Sequence, residues 1–182
     1  MSPRSLLVPL LLFAAPATAA DYVQAPGSAL TFAGKYQGEV FTGRFPGFAT
    51  TLSFDPAQLA TAKLDVAIPL ATATTGNDDY DENMRGDDFL ASAKFAQARY
   101  SATKFRALGG NRYAADGTLS LHGTSKPVTL EFTWTPGARP VLSGKATVSR
   151  LAFGVGGGDW ADTTLIPDAI AIATKVVFVP AK

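Results

Sequence analysis

Short runs of alternating apolar and polar residues recur along the chain from residue 21 onwards, and Gly, Pro and Asp separate them. Alternation with a period of two is typical of strands that bury one face, and frequent turn residues are typical of an all-β barrel or sandwich. We see no internal domain boundary. The runs predict nine strands, at residues 29–33, 39–45, 51–54, 62–68, 98–107, 113–121, 128–134, 141–153 and 170–179.

Two neighbouring runs show the alternation most clearly. In GTLSLHG, Leu119 and Leu121 share one face; in PVTLEFTW, the apolar face carries Val128, Leu130, Phe132 and Trp134. The segment GTSKP at 123–127 is expected to join the two strands as a hairpin. The last run is apolar on both faces near 176–179, which predicts a strand that is covered on both sides or closes the sheet.

Twelve Phe residues make a large contribution to the apolar content. On a strand, Phe41 and Phe45 would share a face, with Gly43 between them. This Gly leaves a gap that either a close backbone contact or a bound chain would fill. Aromatic residues at this spacing also fill ordinary protein cores, so the pattern alone leaves both interpretations open.

The acidic segment NDDYDENMRGDDFL at 77–90 suggests a calcium loop at first sight. Neither register, starting at Asn77 or at Asp79, places a Gly at the sixth position, where the calcium loop turns sharply. The sequence therefore favours a short helix instead of a metal site.

Helix signals explain this segment better. Asn77 or Asp78 can cap the helix, and the carboxylates that follow lie in the first turn, where exposed N–H groups favour negative charge. Arg85 falls in the last turn, and Gly86 stands where a left-handed backbone is preferred. The apolar residues of this excursion are expected to close one end of a barrel; they are Met84, Phe89, Leu90 and Phe95.

The first twenty residues have the pattern of a secretory signal peptide. One basic residue, Arg4, precedes an apolar run at 6–15 and a small-residue stretch, which predicts cleavage after Ala19 or Ala20. The run is too short to span a bilayer, which takes roughly 20 apolar residues. We expect export to the periplasm of one domain, residues 21–182.

Charge and residue usage exclude several functions. Removing Arg4 with the leader lowers Lys plus Arg from 16 to 15, equal to the 15 acidic residues, so the exported chain offers no electrostatic footprint for nucleic acid. No Cys is present for disulfides or thiolate chemistry. The one His, His122, cannot form a multi-His metal site and is expected to face solvent from a strand.

No sequence motif indicates catalysis. A nucleophile elbow and a phosphate loop are both missing from the sequence. We therefore predict no catalytic residue, no metal site and no enzyme activity. A hydrolase or isomerase that uses Asp and Glu stays open as an alternative, because the spacing that matters for such carboxylates is spatial.

Five stretches resemble the YceI-like family, exported bacterial lipocalin-like proteins associated with binding polyisoprenoid lipids such as isoprenoid quinones. They are GEVFTGRFPGF at 38–48, FDP at 54–56, NMRGDDFLASAKF at 83–95, DGTLSLHGTSKPVTLEFTW at 116–134 and SRLAFGVGGGDW at 149–160. The resemblance covers essentially the whole chain after the leader.

The resemblance implies an elongated antiparallel lipocalin-like β-barrel of about eight strands, with a short helical excursion near 78–92. It also implies an interior tunnel for an isoprenoid quinone or a polyprenyl lipid, bound as a ligand and not as a cofactor. Eight strands leave an interior just wide enough for side chains or one slim ligand. A structural or stress-response barrel filled by its own side chains is the alternative. Transient membrane contact and a homodimer are both compatible with this interpretation.

Residue type and strand phase select the expected tunnel walls. They are Phe41, Phe45, Phe54, Phe89, Phe95, Leu119, Leu121, Leu130, Phe132 and Phe153. Arg85 and Trp160 are the candidates for the mouth, where a polar head group would need a donor. A surface ion pair for Arg85 and a packed corner for Trp160 are the competing interpretations.

Overall fold

The structure, a computed structural model, describes residues 20–182. The predicted signal peptide, apart from Ala20, lies outside the described residues. One antiparallel sheet of nine strands dominates the fold. The strands are β1 (Ala20–Tyr36), β2 (Glu39–Arg44), β3 (Ala49–Phe54), β4 (Lys63–Pro69), β5 (Gln97–Gly109), β6 (Arg112–Leu121), β7 (Thr124–Thr135), β8 (Val141–Ser149) and β9 (Ala169–Pro180); helix α1 (Asp78–Arg85) lies between β4 and β5.

The nine strands occupy eight positions of a closed barrel. β2 and β3 pair with the same edge of β1, with Tyr36 opposite Glu39 and Val23 opposite Thr51, so they are two halves of one strand interrupted at residues 45–48. The other edge of β1 pairs with β9, which closes the sheet. The predicted eight-stranded antiparallel barrel and the closing role of the last strand are confirmed.

The connection between β6 and β7 is shorter than predicted. His122 and Gly123 form a two-residue turn with φ of 52° and 74°, the hairpin geometry that matches strand twist. The prediction of a 123–127 connection is wrong because Pro127 lies within β7. Pro is tolerated there since β8 pairs with β7 only at residues 131–135, which leaves this part of β7 with one unpaired edge.

Two other local predictions differ from the structure. β8 ends at Ser149, and Leu151–Phe153 form a 3-10 turn instead of the predicted strand continuation. Gly86 has an extended backbone with φ of −66°, so the predicted left-handed position is wrong. The left-handed residue is Ala91, with φ of 45°, and its N–H bonds to the Gly86 carbonyl.

One pole of the barrel, here the closed end, is sealed by aromatic side chains. Phe54 packs edge-on against Trp134 with ring centroids 5.1 Å apart, and Tyr113 stacks on Phe132 at 5.6 Å. Offset and edge-to-face contacts of this kind stabilise aromatic clusters beyond the area they bury. The members of this cluster are Tyr22, Phe54, Phe105, Tyr113, Phe132, Trp134 and Phe178.

The opposite pole, the loop end, carries two long connections. The first cap segment, residues 70–96, contains α1 and follows β4, whose pairing with β3 stops before β2 is reached; only the Arg44–Thr74 bridge joins β2 to this side. The second cap segment, residues 150–168, links β8 to β9 where β8 has separated from β7. Each cap segment thus adjoins a gap that strand pairing leaves at the loop end.

Candidate ligand-binding cavity

An apolar cavity of about 230 Å³ lies inside the barrel, between the cap segments and the aromatic cluster. Twenty-eight residues line it, and only four of their side chains carry nitrogen or oxygen: Thr50, Tyr100, Arg150 and Thr174. A wall of this composition suits an apolar ligand, because it offers burial to hydrocarbon and few partners to polar atoms.

The structure places half of the predicted site residues on the cavity wall. Those residues are Phe41, Phe45, Phe89, Leu119, Leu121 and Leu130. Five lie on strands or directly after one, with side chains on the inner face of the barrel. Phe89 reaches the cavity from the first cap segment.

Four predicted wall residues lie outside the cavity lining. Phe54 and Phe132 point inward but belong to the aromatic cluster at the closed end. Phe95 packs against the ring of His122 at 5.1 Å, so His122 is half-buried in its turn and does not project from a strand into solvent as expected. Phe153 is buried in the 3-10 turn after β8, where strand phase no longer applies.

Neither predicted mouth residue borders the cavity. Arg85 donates through Nε to the Asp81 carbonyl at 2.9 Å, and its Nη1 lies 3.4 Å from the Ala71 carbonyl. Trp160 lies behind Phe89, with ring centroids 5.4 Å apart. The charged side chain that borders the cavity is a different residue, Arg150.

Arg150 is a buried cation whose partners are backbone carbonyls. It is 3% exposed, and its guanidinium donates to five carbonyls of the second cap segment: Val155, Gly156, Trp160, Ile166 and Pro167. Burial lowers the pKa of Arg150, while the nearby Asp168 carboxylate opposes this shift. The fork of donors on one guanidinium holds the segment together.

Gly156 shows how closely the second cap segment wraps this cation. Its φ is 62°, and a Cβ at this position would lie 2.6 Å from Nη1 of Arg150 and 3.0 Å from the Phe89 ring. Its N–H donates to the Asp88 carbonyl at 2.7 Å, which ties the two cap segments together. Only Gly fits this left-handed and crowded position.

Asp81 fixes α1 within the first cap segment. Its buried carboxylate accepts hydrogen bonds from the Thr74 hydroxyl at 2.5 Å and from the N–H and hydroxyl of Thr75 at 2.5 and 2.7 Å. Burial raises the pKa of Asp81, but these hydrogen bonds outweigh burial and the net shift is downward. The helix begins as predicted, with Asn77 Oδ1 accepting from the Tyr80 N–H.

Two inward contacts determine the shape of the middle of the cavity. The Phe32 ring lies over Gly43, where a Cβ would come within 2.1 Å of it, so the protein's own side chain fills the gap that the sequence indicated. Tyr100 lines the wall with its Oη 2.8 Å from the Ala115 carbonyl. Burial raises the pKa of Tyr100 to about 12.

Sequence reasoning missed several wall residues on β1, β4, β8 and β9. Leu30 and Phe32 lie on β1, and Ile170 and Ile172 lie on β9. The Ile-Ala-Ile-Ala alternation of β9 was a usable signal, since both isoleucines share one face. No sequence pattern marked Arg150, because its partners are backbone carbonyls, which do not depend on residue type.

The part of the chain that the structure describes contains no group of three or more His, Asp or Glu residues that could hold a metal ion. Over the same residues, no helix is long and apolar enough to cross a membrane. No Asp or Glu is among the residues that line the cavity.

Comparison with known proteins identifies the family of this barrel. The model of the YceI-like domain matches residues 22–178. The chain belongs to the YceI-like family. A curated YceI-like relative, the UPF0312 protein of Shewanella oneidensis, is 30% identical over 164 residues, which cover 83% of this chain and 85% of the relative. A UPF0312 protein of Shewanella denitrificans is 34% identical over 131 residues, covering 70% and 69% of the two chains.

Solved structures show the same YceI-like architecture. BcnA of Burkholderia cenocepacia superposes with a TM-score of 0.79 at 28% identity, covering 82% of this chain and 95% of BcnA. A polyisoprenoid binding domain from Saccharophagus degradans gives a TM-score of 0.69 at 16% identity and covers 90% and 99% of the two chains. At that identity the second likeness shows the fold alone.

Proposed function

We propose that this YceI-like protein binds an isoprenoid lipid, a quinone or a polyprenyl chain, within the barrel and serves as its carrier or reservoir in the periplasm. The observation that carries the proposal is the cavity wall, in which twenty-four of twenty-eight residues are apolar. The described polyisoprenoid binding by a neighbour of the same fold supports the choice of ligand.

The free energy of binding depends on how much of the chain the cavity buries. A ligand of about 40 carbons that gains roughly 0.3 kcal/mol per heavy atom would gain about 12 kcal/mol if it were wholly buried, and the cavity of about 230 Å³ holds only part of such a chain, so the gain is correspondingly smaller. A membrane offers the same chain a comparable environment. A carrier in contact with membranes must therefore gain its preference from shape or from the head group.

Lipid binding fits the cavity better than the two alternatives, which are a hydrolase or isomerase that uses Asp and Glu and a structural barrel filled by its own side chains. A hydrolase or isomerase would need carboxylates that converge on the cavity, and the buried Asp81 is instead bonded to Thr74 and Thr75 outside the wall. A barrel packed with its own side chains would leave no space of about 230 Å³. The leader pattern of residues 1–20 supports the periplasmic location.

Native mass spectrometry tests this function. The protein is purified without detergent from an exporting bacterial host, and bound lipid is identified after organic extraction. A stoichiometric isoprenoid quinone or polyprenyl species is expected, on a chain that begins at Ala20 or Asp21. An empty protein that also fails to take up added quinone would refute the carrier function.

A matched pair of variants tests the site itself. Phe45 lines the cavity, so Phe45→Trp should reduce uptake by filling part of the space. Phe105 belongs to the closed-end cluster outside the cavity lining, and Phe105→Trp should leave uptake unchanged. Equal lipid binding by both variants and the wild type would place the ligand elsewhere.

A further inference from the structure

A polar interruption lies in the wall where two neighbouring strands are irregular. Pairing of β1 with β3 stops at Val23 and Thr51, and beyond it β1 bulges opposite the break between β2 and β3. One position past the last pair, Gln24 and Thr50 lie on facing strands. Thr50 lines both the apolar cavity and an outer groove of about 490 Å³, and Gln24 lines that groove.

Thr50 is the exception among the four polar side chains of the cavity wall. Tyr100 Oη bonds to the Ala115 carbonyl, Thr174 Oγ1 donates to the Ala29 carbonyl at 3.1 Å, and the guanidinium of Arg150 is occupied by five carbonyls. Thr50 is 3% exposed, and its Oγ1 has no hydrogen-bond partner within residues 20–182. Buried hydroxyl groups are normally hydrogen-bonded, so this atom requires a partner.

Gln24 presents a second such atom. Its Nε2 donates to the Phe48 carbonyl at 3.0 Å, which orients the amide and leaves Oε1 buried without a partner in the described chain. Oε1 can only accept a hydrogen bond, whereas the Thr50 hydroxyl can donate one. The pair thus offers one acceptor and one donor beside the apolar cavity.

We propose that Gln24 and Thr50 bind the polar head of the ligand, and that this head is neutral and carries a hydroxyl group. The inference rests on the proposed function and specifies its ligand. Both atoms are buried in the structure, so the head group binds by turning the two side chains toward it. A hydroxyl then donates to Gln24 Oε1 and accepts from Thr50 Oγ1, and both atoms are satisfied. An ether or a quinone carbonyl can accept from Thr50 only, and Gln24 stays unpaired.

Charge disfavours a phosphate head at this position. The ten residues that line the groove include no Lys, Arg, His, Asp or Glu, and Arg139, at the edge of the groove, donates to the Pro26 carbonyl at 3.0 Å. An anion bound at Gln24 and Thr50 would lose hydration without a charged partner in the groove lining, which is unfavourable. At the loop end, the donors of Arg150 are already bonded to the second cap segment. The preferred class is a long-chain isoprenoid alcohol or a reduced quinol.

Competition binding on the delipidated, full-length exported protein tests the proposal. Geranylgeraniol, its methyl ether and its monophosphate compete against the fluorophore N-phenyl-1-naphthylamine. The alcohol is expected to bind about tenfold more tightly than the ether, because a buried polar pair loses about this much when one partner is missing. The monophosphate should be the weakest competitor.

Variants assign the preference to the two side chains. Thr50→Val keeps the shape and removes the hydroxyl, so affinity for the alcohol should fall about tenfold while affinity for the ether changes less than about twofold. The variant should fold, since it deletes an unpartnered group. Gln24→Met should give the same selective loss together with a smaller loss common to alcohol and ether, because it also removes the Nε2 bond to the Phe48 carbonyl. Thr147→Val, on the exposed outer face of β8, should change neither affinity.

The outcomes distinguish the head-group site at Gln24 and Thr50, here the subsite, from lipid binding itself. If the wild type bound alcohol and ether equally, and if Thr50→Val did not change either affinity, the subsite would be overturned while lipid binding would stand. A monophosphate that binds most tightly would overturn the neutral head. Failure of all three competitors to bind would overturn the proposed function together with the subsite.

Discussion

Phe89 and Trp160 pack with ring centroids 5.4 Å apart, and this contact joins the two cap segments over the loop end of the cavity. Phe89 also lines the cavity, whereas Trp160 does not. The Gly156 N–H bond to the Asp88 carbonyl lies in the same contact region. The cap is therefore one unit made of two segments that are distant in sequence.

Truncating Phe89 should speed ligand release. Phe89→Ala removes a wall residue and the Trp160 contact, which we expect to be worth about 1.4 kcal/mol, or about a tenfold faster dissociation. Stopped-flow displacement of a bound apolar fluorophore measures the rate. Phe105→Ala removes a ring from the closed end and should leave the rate unchanged; equal acceleration in both variants would contradict a release path through the cap.

Arg150→Lys should destabilise the fold strongly. A lysine keeps the charge, but it cannot reach the five carbonyls that the guanidinium bonds, so we expect a loss of about 3 kcal/mol in the free energy of unfolding. Urea denaturation measures it. Arg112→Lys is the control, because Arg112 is exposed with one bond at 3.3 Å, and it should cost under about 0.5 kcal/mol. Similar midpoints for the two variants would show that the carbonyl fork contributes little.

Asp81→Asn should loosen the first cap segment. Replacing the carboxylate weakens three hydrogen bonds to Thr74 and Thr75, with an expected loss of about 2 kcal/mol at pH 7. The pKa of Asp81 is lowered from 3.8, so its contribution is present above the unfolded-state pKa and is lost as the pH falls through the folded-state pKa. The difference in the free energy of unfolding between the wild type and Asp81→Asn should therefore become smaller at acidic pH.

Urea midpoints at pH 7 and at pH 3 measure the effect of Asp81→Asn. Asp79→Asn, an exposed change on the same helix, is the matched control and should show no comparable gap. A gap that persists unchanged in acid would mean that the carboxylate charge is not its source.

Tyr100 should make the barrel sensitive to alkali. Its pKa rises from 10 to about 12 on folding, so the protonated hydroxyl contributes stability below pH 10 that is lost between pH 10 and pH 12. The wild type should lose stability relative to Tyr100→Phe over that interval, measured as urea midpoints at pH 9 and 11. The urea midpoint of Tyr80→Phe, at a side chain that is 52% exposed, should change between pH 9 and 11 as the wild-type midpoint does. If the midpoint of Tyr100→Phe also changed by the wild-type amount, the raised pKa of Tyr100 would be contradicted.

Gly43→Ala should cost stability through Phe32. The new Cβ would lie within 2.1 Å of the ring, and such overpacking costs about 1–3 kcal/mol. In the double variant with Phe32→Ala, the cost of the added methyl should nearly disappear. Thermal unfolding of the two single variants and the double variant measures the coupling, and additive losses would place the strain elsewhere.

Strand phase predicted which side chains turn inward, but not how deep they lie. Leu130 and Phe132 share the inner face of β7, yet Leu130 lines the cavity and Phe132 belongs to the aromatic cluster. Depth depends on register and on where the aromatic rings gather, and neither is a local property of the sequence. The barrel itself was predictable because most strands carry their own apolar–polar alternation, and because the last run, apolar on both faces near 176–179, indicates a strand that closes the sheet.

The cap segments were the least predictable part. The helix that begins after Asn77 was accessible, since its cap and first-turn carboxylates are local signals. Arg85 and Trp160 were chosen for their polar or aromatic character, whereas the cation that borders the cavity is Arg150. Its partners are main-chain carbonyls, which every residue type carries, so no sequence pattern marks them.

The aromatic cluster around Phe54 and Trp134 closes one pole of the barrel. A long ligand therefore cannot pass through the barrel from one pole to the other, and it must leave by the route through which it entered. Transfer of the ligand to a membrane or to another protein would then require the loop end to face the recipient. Of the two poles of the barrel, the loop end is the one available for ligand exchange.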